Sequence, residues 1–331
     1  MSFLTTTAGN VTSPNTTADI INQQIYADRL LKEFDAWLVG RPLFADVTGE
    51  FAEGDDYQLV STADRTLGDY TENSDISFSG MDTSTSHFSI TEYPQDAFYI
   101  TDKLKQDSKK AMRFWDTNVN KSVEAFKVKM EEDVLAKCNE VQTAGNGNAI
   151  NGVDHRISGS GGTGTDGKIA IDDFSRMKFA FDKAKVPVEY RVAIVSPDAE
   201  TQLNKLLQIT EPTDGSVFNY NVDGLVQEGF GNKLRVVRKL FGFDIVISHY
   251  LPQITSETLD GVTHSDASAC VFMSMASEDS MPIMGAVRQQ PTPEFDRNVT
   301  KKRDEWSATA RWGFGLQRPE SLGILIVANG A

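Results

Sequence analysis

The chain has few of the residues that build disulfide or metal frameworks: two cysteines and four histidines among 331 residues. Two cysteines are too few for the disulfide scaffold of a small secreted protein. Cys138 lies in a helical pattern and Cys270 in an apolar strand pattern, so both are expected to be small buried side chains. No histidine lies near a cysteine at the spacing of a zinc site, and no metal site is expected.

Long apolar runs and an excess of positive charge are also lacking. No run approaches the roughly 20 apolar residues that cross a bilayer, and the longest, Leu322–Ala328, contains Gly323. The opening MSFLTTTAGN has neither the basic start nor the apolar stretch of a secretory signal. With 47 acidic and 32 basic residues the net charge is −15. A protein that works by binding nucleic-acid phosphates is therefore not expected.

The stretch GGTGTDGKI is similar to a nucleotide-binding P-loop, because Gly162, Gly167 and Lys168 have the P-loop spacing. However, Ile169 occupies the position of the magnesium-binding Ser or Thr. The next helix is expected to begin late, with Asp172 as its N-cap. The preceding NGVDHRISGS is polar and rich in turn residues, so no buried strand is expected before the loop.

A dinucleotide-binding pattern through Gly159, Gly161 and Gly164 lacks the same flanking strand and helix. We therefore interpret the loop as a flexible Ser/Gly linker between two structural pieces, with nucleotide binding as the lesser alternative. Ser248 and His249 are adjacent on a predicted strand and point to opposite faces, so they cannot act as nucleophile and base. The sequence thus predicts no catalytic site and no cofactor.

The first hundred residues are predicted to form an arm and a hairpin. Residues 1–16 are rich in Thr, Asn and Ser, which is typical of a mobile arm, and apolar spacing predicts a helix over 17–38. Residues 50–100 contain short alternating patterns that predict strands. Their apolar content is too low for an independent fold, so we predict a projecting hairpin. It is acidic, with nine acidic residues and one basic residue between Glu50 and Asp82.

A long helix is predicted from about Asp107 to Thr143. Its apolar residues recur every three or four positions and form one stripe. At about 1.5 Å per residue it would be about 50 Å long, more than a compact domain requires. The opposite face carries Lys109, Lys110, Lys121, Lys127 and Lys129. A solvated face and a partner-binding face are both open interpretations.

A second lobe is predicted after the glycine loop. Helix 172–185, strand Arg191–Pro197 and helix 198–207 form a small α/β pattern. Two strands are expected around Gly242, and 253–268 is predicted as a polar loop. Further strands follow in ACVFMSM and in the C-terminal stretch.

The order of these elements resembles that of the major capsid proteins of tailed double-stranded DNA bacteriophages, whose Hong Kong 97-like capsid fold is shared with herpesvirus shells. The resemblance rests on the phrases ITEYPQDAFYITDK, VAIVSPDAETQLNKL, LFGFDIVISHYLP and ARWGFGLQRPESLGILIV. Each phrase alone is weakly specific, whereas their order and spacing together are fairly specific. The resemblance covers nearly the whole chain after residue 17.

The resemblance implies an α+β fold with a peripheral domain, an axial α/β domain, an extended β-hairpin loop and an N-terminal arm. The peripheral domain would contain a long spine helix and an antiparallel sheet. The implied boundaries are 1–49 for the arm, 50–100 for the extended loop, 101–184 for the peripheral domain with its spine helix, 185–285 for the axial domain and 286–331 for a return to the peripheral domain.

The implied function is structural: self-assembly into hexamers and pentamers of an icosahedral shell around viral double-stranded DNA. Expected partners are identical subunits, a scaffolding protein, a portal, decoration proteins and DNA bound without sequence specificity, with no membrane. The expected location is the virion capsid, assembled in the host cytoplasm. The covalent lysine–asparagine crosslink of some members is not carried over, because the segment from Glu50 to Asp82 contains no lysine.

A long helix, a hairpin that cannot support itself and a loose arm leave surfaces that only neighbouring subunits can bury. We therefore expect the acidic hairpin to lie across a neighbour's lysine-bearing helix face. The candidate inter-subunit contacts are Glu53, Asp55, Asp56, Asp69, Glu72, Asp75, Lys109, Lys110, Lys121 and Lys127. Two alternatives stay open: an encapsulin-type bacterial compartment that packages an enzyme, and a nucleotide-binding enzyme that uses the glycine loop 159–168.

Overall fold

The computed structural model of the protein describes residues 5–6, 9–10, 43–50, 56–62, 67, 69, 71–73, 75, 78, 80–81, 83–107, 111–161, 167–207, 229–230, 235–236 and 238–330, some by backbone alone. The chain divides into two compact units, Met1–Ala36 and Trp37–Ala331. In the first unit the described residues form a short antiparallel pair, β1 (Thr5–Thr6) and β2 (Gly9–Asn10). The helix predicted over 17–38 lies outside the described residues.

The second unit contains both helices and strands. Up to residue 207 the described elements are β3 (Phe44–Asp46), β4 (Asp56–Thr62), β5 (Thr83–Ser89), β6 (Gln95–Thr101), α1 (Asp102–Asp107), α2 (Ala111–Glu140), β7 (Arg156–Ser158), α3 (Ile171–Lys183), β8 (Arg191–Val195) and α4 (Pro197–Leu207). Then follow β9 (Gly229–Phe230), β10 (Arg235–Val236), β11 (Arg238–Leu240), β12 (Phe243–Ile247), β13 (Gln253–Ile254), β14 (Glu257–Leu259), β15 (Val262–His264), β16 (Ala267–Ser274), β17 (Ile283–Asn298), β18 (Arg303–Leu316) and β19 (Leu322–Ala328).

Two long antiparallel strands, β17 and β18, form the centre of a four-stranded sheet in the order β3-β17-β18-β6. Alternate residues of β18 from Trp306 to Trp312 are buried, because successive side chains of a strand point to opposite faces. The buried face packs against α2, where the ring of Phe98 on β6 lies 4.9 Å from that of Trp115. Trp306, Trp312 and Phe314 are core residues.

The predicted long helix is present as α2, and the short helix α1 precedes it. Its 30 residues correspond to a length of about 45 Å. The apolar stripe is buried at Phe126, Val134 and Cys138. Burial raises the pKa of the Cys138 thiol to about 12, and it does the same for Cys270 on β16. Both cysteines are therefore buried free thiols, as predicted. None of the described helices is long and apolar enough to span a membrane.

The second large sheet contains seven strands and most of the hydrophobic core. Its order is β11-β12-β8-β16-β19-β7, and β13 pairs with β16. Every residue of β8 and β16 is buried, as expected for apolar strands covered on both faces. On α3, Phe174 and Phe181 place their rings 5.3 and 5.6 Å from those of Phe272 and Phe243. The predicted helices 172–185 and 198–207 correspond to α3 and α4.

One prediction for this part of the chain is corrected. The stretch 253–268 is not a polar loop, because it contains β13, β14 and β15. Three of its polar residues, Glu257, His264 and Ser268, are buried with hydrogen-bonding partners, so polarity at these positions does not signal exposure. The C-terminal strands also divide between the sheets: β17 and β18 lie in the four-stranded sheet, whereas β19 lies in the seven-stranded sheet.

Candidate assembly surfaces

The predicted hairpin is formed by β4 and β5, which pair antiparallel from Asp56 opposite Ser89 to Thr62 opposite Thr83. It is shorter than the predicted segment 50–100, because β6 leaves the hairpin and pairs with β18 of the four-stranded sheet. A two-stranded ribbon has little core of its own and is marginally stable in water. Its position must therefore depend on what its base and its far end contact.

The base of the hairpin crosses β18 at a glycine. A β-carbon on Gly313 would lie 2.7 Å from the Cα of Ile90, so the two backbones touch directly. Phe88 and Ile90 are both buried at this crossing. Two main-chain hydrogen bonds between Glu92 and Trp312, 3.0 and 3.1 Å long, extend it. The base is thus fixed on the four-stranded sheet.

The loop beyond the hairpin exposes large apolar side chains. Leu67 is 100% exposed, Phe78 95% and Met81 78%. The charge pattern marks this segment as acidic and does not reveal these residues. The available signal was that each is a large apolar residue with only polar residues or glycine directly beside it. Three large apolar side chains exposed in one loop make this loop a candidate interaction surface.

The structure places part of the predicted acidic set in the same loop. Asp69, Glu72 and Asp75 are exposed there, between Leu67 and Phe78. Asp56 lies in β4, where the backbone alone is described. The predicted contacts outside the described residues are Glu53, Asp55, Lys109 and Lys110. The loop therefore combines negative charge with apolar side chains.

The lysine face of α2 is present for the described residues. Lys121 and Lys127 are exposed on it. Lys129 is engaged within the subunit, because its Nζ donates a 2.6 Å hydrogen bond to Asp133 Oδ1, and this bond raises the pKa of Lys129. The other oxygen, Asp133 Oδ2, accepts a 2.9 Å bond from Trp312 Nε1. Lys129 and Asp133 thus fasten the helix to β18.

An aromatic cleft opens beside α2 at the far end of the four-stranded sheet. Its volume is about 390 Å³, and its lining includes Trp115 and Phe295. Phe295 is 64% exposed, and its ring centroid lies 6.3 Å from that of Trp115. The rim carries charges of both signs. Arg297 Nη1 donates to Asp304 Oδ1 at 3.1 Å, and Lys105 bonds the other oxygen of Asp304. Asp296 and Glu305 also line the cleft. The cleft offers an apolar floor with a charged rim.

A buried strand, β7, precedes the glycine loop, against the sequence prediction. The reason is that the polar residues Arg156 and Ser158 are buried with hydrogen-bonding partners and so do not behave as loop residues. The described ends of the loop form a bridge, with Gly161 and Lys168 exchanging main-chain bonds of 2.7 and 3.0 Å. Residues 162–166 lie outside the described part. The predicted flexible linker is wrong for these ends.

The start of α3 is occupied by the chain's own carboxylate. Helix α3 begins at Ile171 with Ala170 as N-cap, instead of the predicted Asp172. The main-chain N–H of Ala170 donates to Asp173 Oδ2 at 2.8 Å, and that of Ser160 donates to the same carboxylate at 3.1 Å. Burial raises the pKa of Asp173, and these bonds partly offset the shift. The main-chain N–H groups of Ser160 and Ala170, on either side of the glycine loop, are therefore already bonded within the chain.

The described residues contain no group of three or more His, Cys, Asp or Glu side chains placed to hold a metal ion. The surfaces described above are suited to contacts between macromolecules: a seated hairpin, an apolar acidic loop, a lysine-bearing helix and an aromatic cleft.

Solved structures with the same fold include phage capsids. A cyanophage P-SCSP1u capsid structure matches with a TM-score of 0.68 and 16% identity, covering 95% of this chain and 94% of that one. The capsid of Ralstonia phage GP4 matches with a TM-score of 0.66 and 12% identity, covering 94% and 96%. A Mycobacterium phage Che8 structure matches at 0.61 and 17%, covering 91% and 96%. No curated protein sequence matches the chain.

The family model described as phage capsid protein matches residues 83–326. The matched region begins at β5 of the hairpin and continues through α2 and both large sheets to β19. Because this match covers well over half of its length, the chain belongs to the phage capsid protein family.

Proposed function

We propose that this chain is the major capsid protein of a tailed phage, whose copies assemble into the hexamers and pentamers of an icosahedral shell around double-stranded DNA. The observation that carries the proposal is the family match from β5 to β19. The exposed apolar side chains of the hairpin loop add support, because burying them between copies would drive assembly. The site of the mature protein would be the virion capsid, with assembly in the host cytoplasm.

The two sheets support a proposed division into domains. We assign α2 and the four-stranded sheet to the peripheral domain, and the seven-stranded sheet with α3 and α4 to the axial domain. This proposal keeps β18 in the peripheral domain, and it differs from the boundaries expected from the sequence by giving β7, α3 and β19 to the axial domain. The extended loop then corresponds to β4, β5 and the loop between them.

The hairpin of one copy is proposed to lie across α2 and the aromatic cleft of its neighbour. Asp69, Glu72 and Asp75 would then approach positive groups that include Lys121 and Lys127. Each exposed ion pair contributes only about 0–1 kcal/mol. Burying one large apolar side chain contributes about 1.5–3 kcal/mol.

The apolar part of the loop therefore supplies most of the proposed contact energy. Three side chains, Leu67, Phe78 and Met81, together contribute several kcal/mol if the neighbour covers them. The acidic residues then set the orientation and the salt response of the contact rather than its strength. Repetition over many identical contacts makes a modest contact sufficient for a shell.

Further partners are proposed from the resemblance. These are a scaffolding protein during assembly, a portal, decoration proteins, and packaged DNA held without sequence specificity. The net charge of −15 favours weak interaction with the packaged DNA, because like charges repel.

Electron microscopy of the chain, expressed alone and with its scaffolding protein, tests the proposal. We expect capsomers or closed shells, and nuclease-protected double-stranded DNA inside particles from infected cells. A chain that stays a compact monomer under every condition contradicts the proposal. Particles that contain an enzyme in place of DNA would instead indicate a bacterial compartment.

A further inference from the structure

A small hairpin formed by β14 and β15 lies beside β7 and holds several buried charged groups. Its strands pair from Glu257 opposite His264 to Leu259 opposite Val262. The turn uses Asp260 and Gly261, which have φ values of 53° and 77° and so favour an Asp-Gly sequence. This β14–β15 hairpin contributes no strand to either large sheet. Its attachment to the rest of the subunit is therefore made by side chains.

The first attachment is a buried ion pair. Arg156 on β7 donates from Nε to Glu257 Oε1 at 2.7 Å and from Nη2 to Oε2 at 2.6 Å. Arg156 also donates to Asn139 Oδ1 on α2 at 3.0 Å, and the Gly145 N–H donates to Glu257 Oε1 at 2.8 Å. Burial opposes ionisation of Glu257, but the bonds from Arg156 and Gly145 outweigh it and hold its pKa below the ordinary value.

The second attachment is His264 itself. Its Nε2 lies 2.9 Å from Ser158 Oγ, and its side chain is 2% exposed. Its Nδ1 has no hydrogen-bonding partner among the described residues. The ring lies against the backbone of Gly167, where a β-carbon would come within 2.3 Å of His264 Cε1. The imidazole is therefore closely packed, and the described residues offer no hydrogen-bond acceptor to its Nδ1.

Protonation of His264 would place a positive charge beside two other charged groups. The charged groups that act on it are Arg156 on β7, which opposes the positive form, and Glu257 on β14, which favours it. Burial is the largest effect, and together with Arg156 it lowers the pKa of His264 below the ordinary 6.5 despite Glu257. Protonation would also create an N–H at Nδ1 with no described acceptor.

We propose that His264 is an acid latch, whose protonation releases the β14–β15 hairpin from β7 while both large sheets stay folded. The closed latch holds a neutral imidazole between Ser158 and Gly167. The open latch lets the charged ring reach water and separates Glu257 from Arg156. This device goes beyond the proposed capsid function and does not depend on it.

The direction of the effect follows from proton linkage. A histidine whose pKa is lowered in the closed form binds its proton more readily in the open form. Opening therefore becomes easier as the pH falls below 6.5, and the closed form is favoured above it. One linked proton changes the opening equilibrium by at most about tenfold per pH unit.

Hydrogen exchange of the full-length protein, followed by mass spectrometry from about pH 8 to about pH 5 and corrected for intrinsic rates, tests the latch. Below the ordinary histidine pKa of 6.5, we expect the exchange protection of residues 257–264 to fall by up to about tenfold per pH unit, while β8 and β16 stay protected. His264→Asn, which has no titrating ring, should remove the part of this pH dependence that His264 contributes. His249→Asn, at an exposed histidine, is the matched control and should behave as wild type.

His155 is a second buried histidine near β7, and burial lowers its pKa as well. The difference between wild type and His264→Asn isolates the contribution of His264 from it. If His264→Asn does not fold, His264→Gln takes its place. The wild-type measurement also decides by itself: protection that stays constant down to about pH 5, or that is lost equally in β8 and β16, overturns the proposal. An unchanged pH response in either amide variant overturns it too.

Discussion

The backbone at Ile90 crosses Gly313 so closely that a β-carbon on the glycine would lie 2.7 Å from the Ile90 Cα. The contact joins a Cα to a β-carbon, and neither atom moves when a side chain changes rotamer, so no rotamer change can relieve it. The crossing joins the base of the β4–β5 hairpin to β18 of the four-stranded sheet. The position of the β4–β5 hairpin thus depends on the absence of a side chain at Gly313.

Gly313→Ala should displace the hairpin base. Overpacking of this kind typically costs about 1–3 kcal/mol. The displaced β4–β5 hairpin would then no longer fit the proposed contact surface of a neighbouring subunit. We expect reduced unfolding stability in urea and a loss of closed shells in electron microscopy. Gly49→Ala is the matched control, because nothing lies within 4 Å of a β-carbon there. Equal assembly of the two variants would show that the crossing does not position the arm.

Charge reversal on α2 tests the proposed ionic part of the contact. Lys127→Glu, alone and with Lys121→Glu, should slow assembly most at low salt, because added salt screens the new repulsion from a neighbour's acidic loop. The expected loss is about 0–1 kcal/mol per contact. Light scattering against salt concentration measures it. Lys183→Glu, on α3 and exposed, is the control. An unaltered salt response in the α2 variants would remove the ionic contact from the proposal.

Removing apolar surface from the hairpin loop should have the larger effect. Phe78→Ser is expected to leave the unfolding of the free subunit unchanged, because the side chain is 95% exposed. Assembly should weaken by about 1.5–3 kcal/mol per contact, measured as a rise in the critical concentration for shell formation. Phe179→Ser, at a residue 59% exposed on α3, is the control. If the lysine reversals weaken assembly more than Phe78→Ser does, the proposal that apolar contacts supply most of the contact energy is wrong.

Periodic patterns carried most of the fold prediction. The stripe from Phe126 to Cys138 indicates α2, and the apolar runs indicate β8, β12 and β16, because burial of those elements is encoded in consecutive residues. The strands β7, β14 and β15 were missed for the opposite reason. Arg156 and Glu257 are 101 positions apart in the sequence and form a buried ion pair. Each segment taken alone contains an unpaired charged residue and therefore looks like an exposed loop.

The candidate inter-subunit contacts stay a prediction, and the structure adds apolar candidates to the charged ones. Acidic residues and lysines are conspicuous in a sequence, and Asp69, Glu72 and Lys127 are indeed exposed. Whether an isolated Leu67 or Phe78 is covered by its own chain depends on the three-dimensional path of the hairpin, which no local pattern contains. The same holds for β19, since its pairing with β16 and β7 depends on which sheet the chain re-enters.

The Arg156–Glu257 pair should be costly to break on one side only. Both side chains are almost fully buried, at 1% and 3% exposure, so Arg156→Met leaves an uncompensated carboxylate and should destabilise the subunit by about 3–5 kcal/mol. The double variant with Glu257→Gln should recover much of this loss. Urea unfolding of the subunit measures both. Lys137→Met, which breaks an exposed pair with Glu140, should cost less than about 1 kcal/mol.

This pair also makes a prediction about acid. Because the pKa of Glu257 is lowered in the folded state, the pair contributes stability above the ordinary value of 4.5 and loses it as the pH falls through the folded pKa. Wild type should therefore lose stability over this range more steeply than the double variant. Parallel pH profiles of the two would show that the pair does not contribute to acid sensitivity.

Asp173 should respond to substitution in a way that depends on hydrogen bonding rather than on charge. Its carboxylate accepts main-chain bonds from Ala170 and Ser160, so Asp173→Ala should lower the unfolding free energy by about 1–2 kcal/mol. Asp173→Asn should cost less, because burial raises the pKa of the carboxyl and its neutral form is already tolerated. The linkage has the opposite sign to that of Glu257: wild type should lose stability relative to Asp173→Asn as the pH rises above 3.8. Urea unfolding from about pH 4 to about pH 7 measures this difference. A relative loss for wild type on acidification would mean that the ionised form is the preferred one at the start of α3, and that the site favours an anion after all.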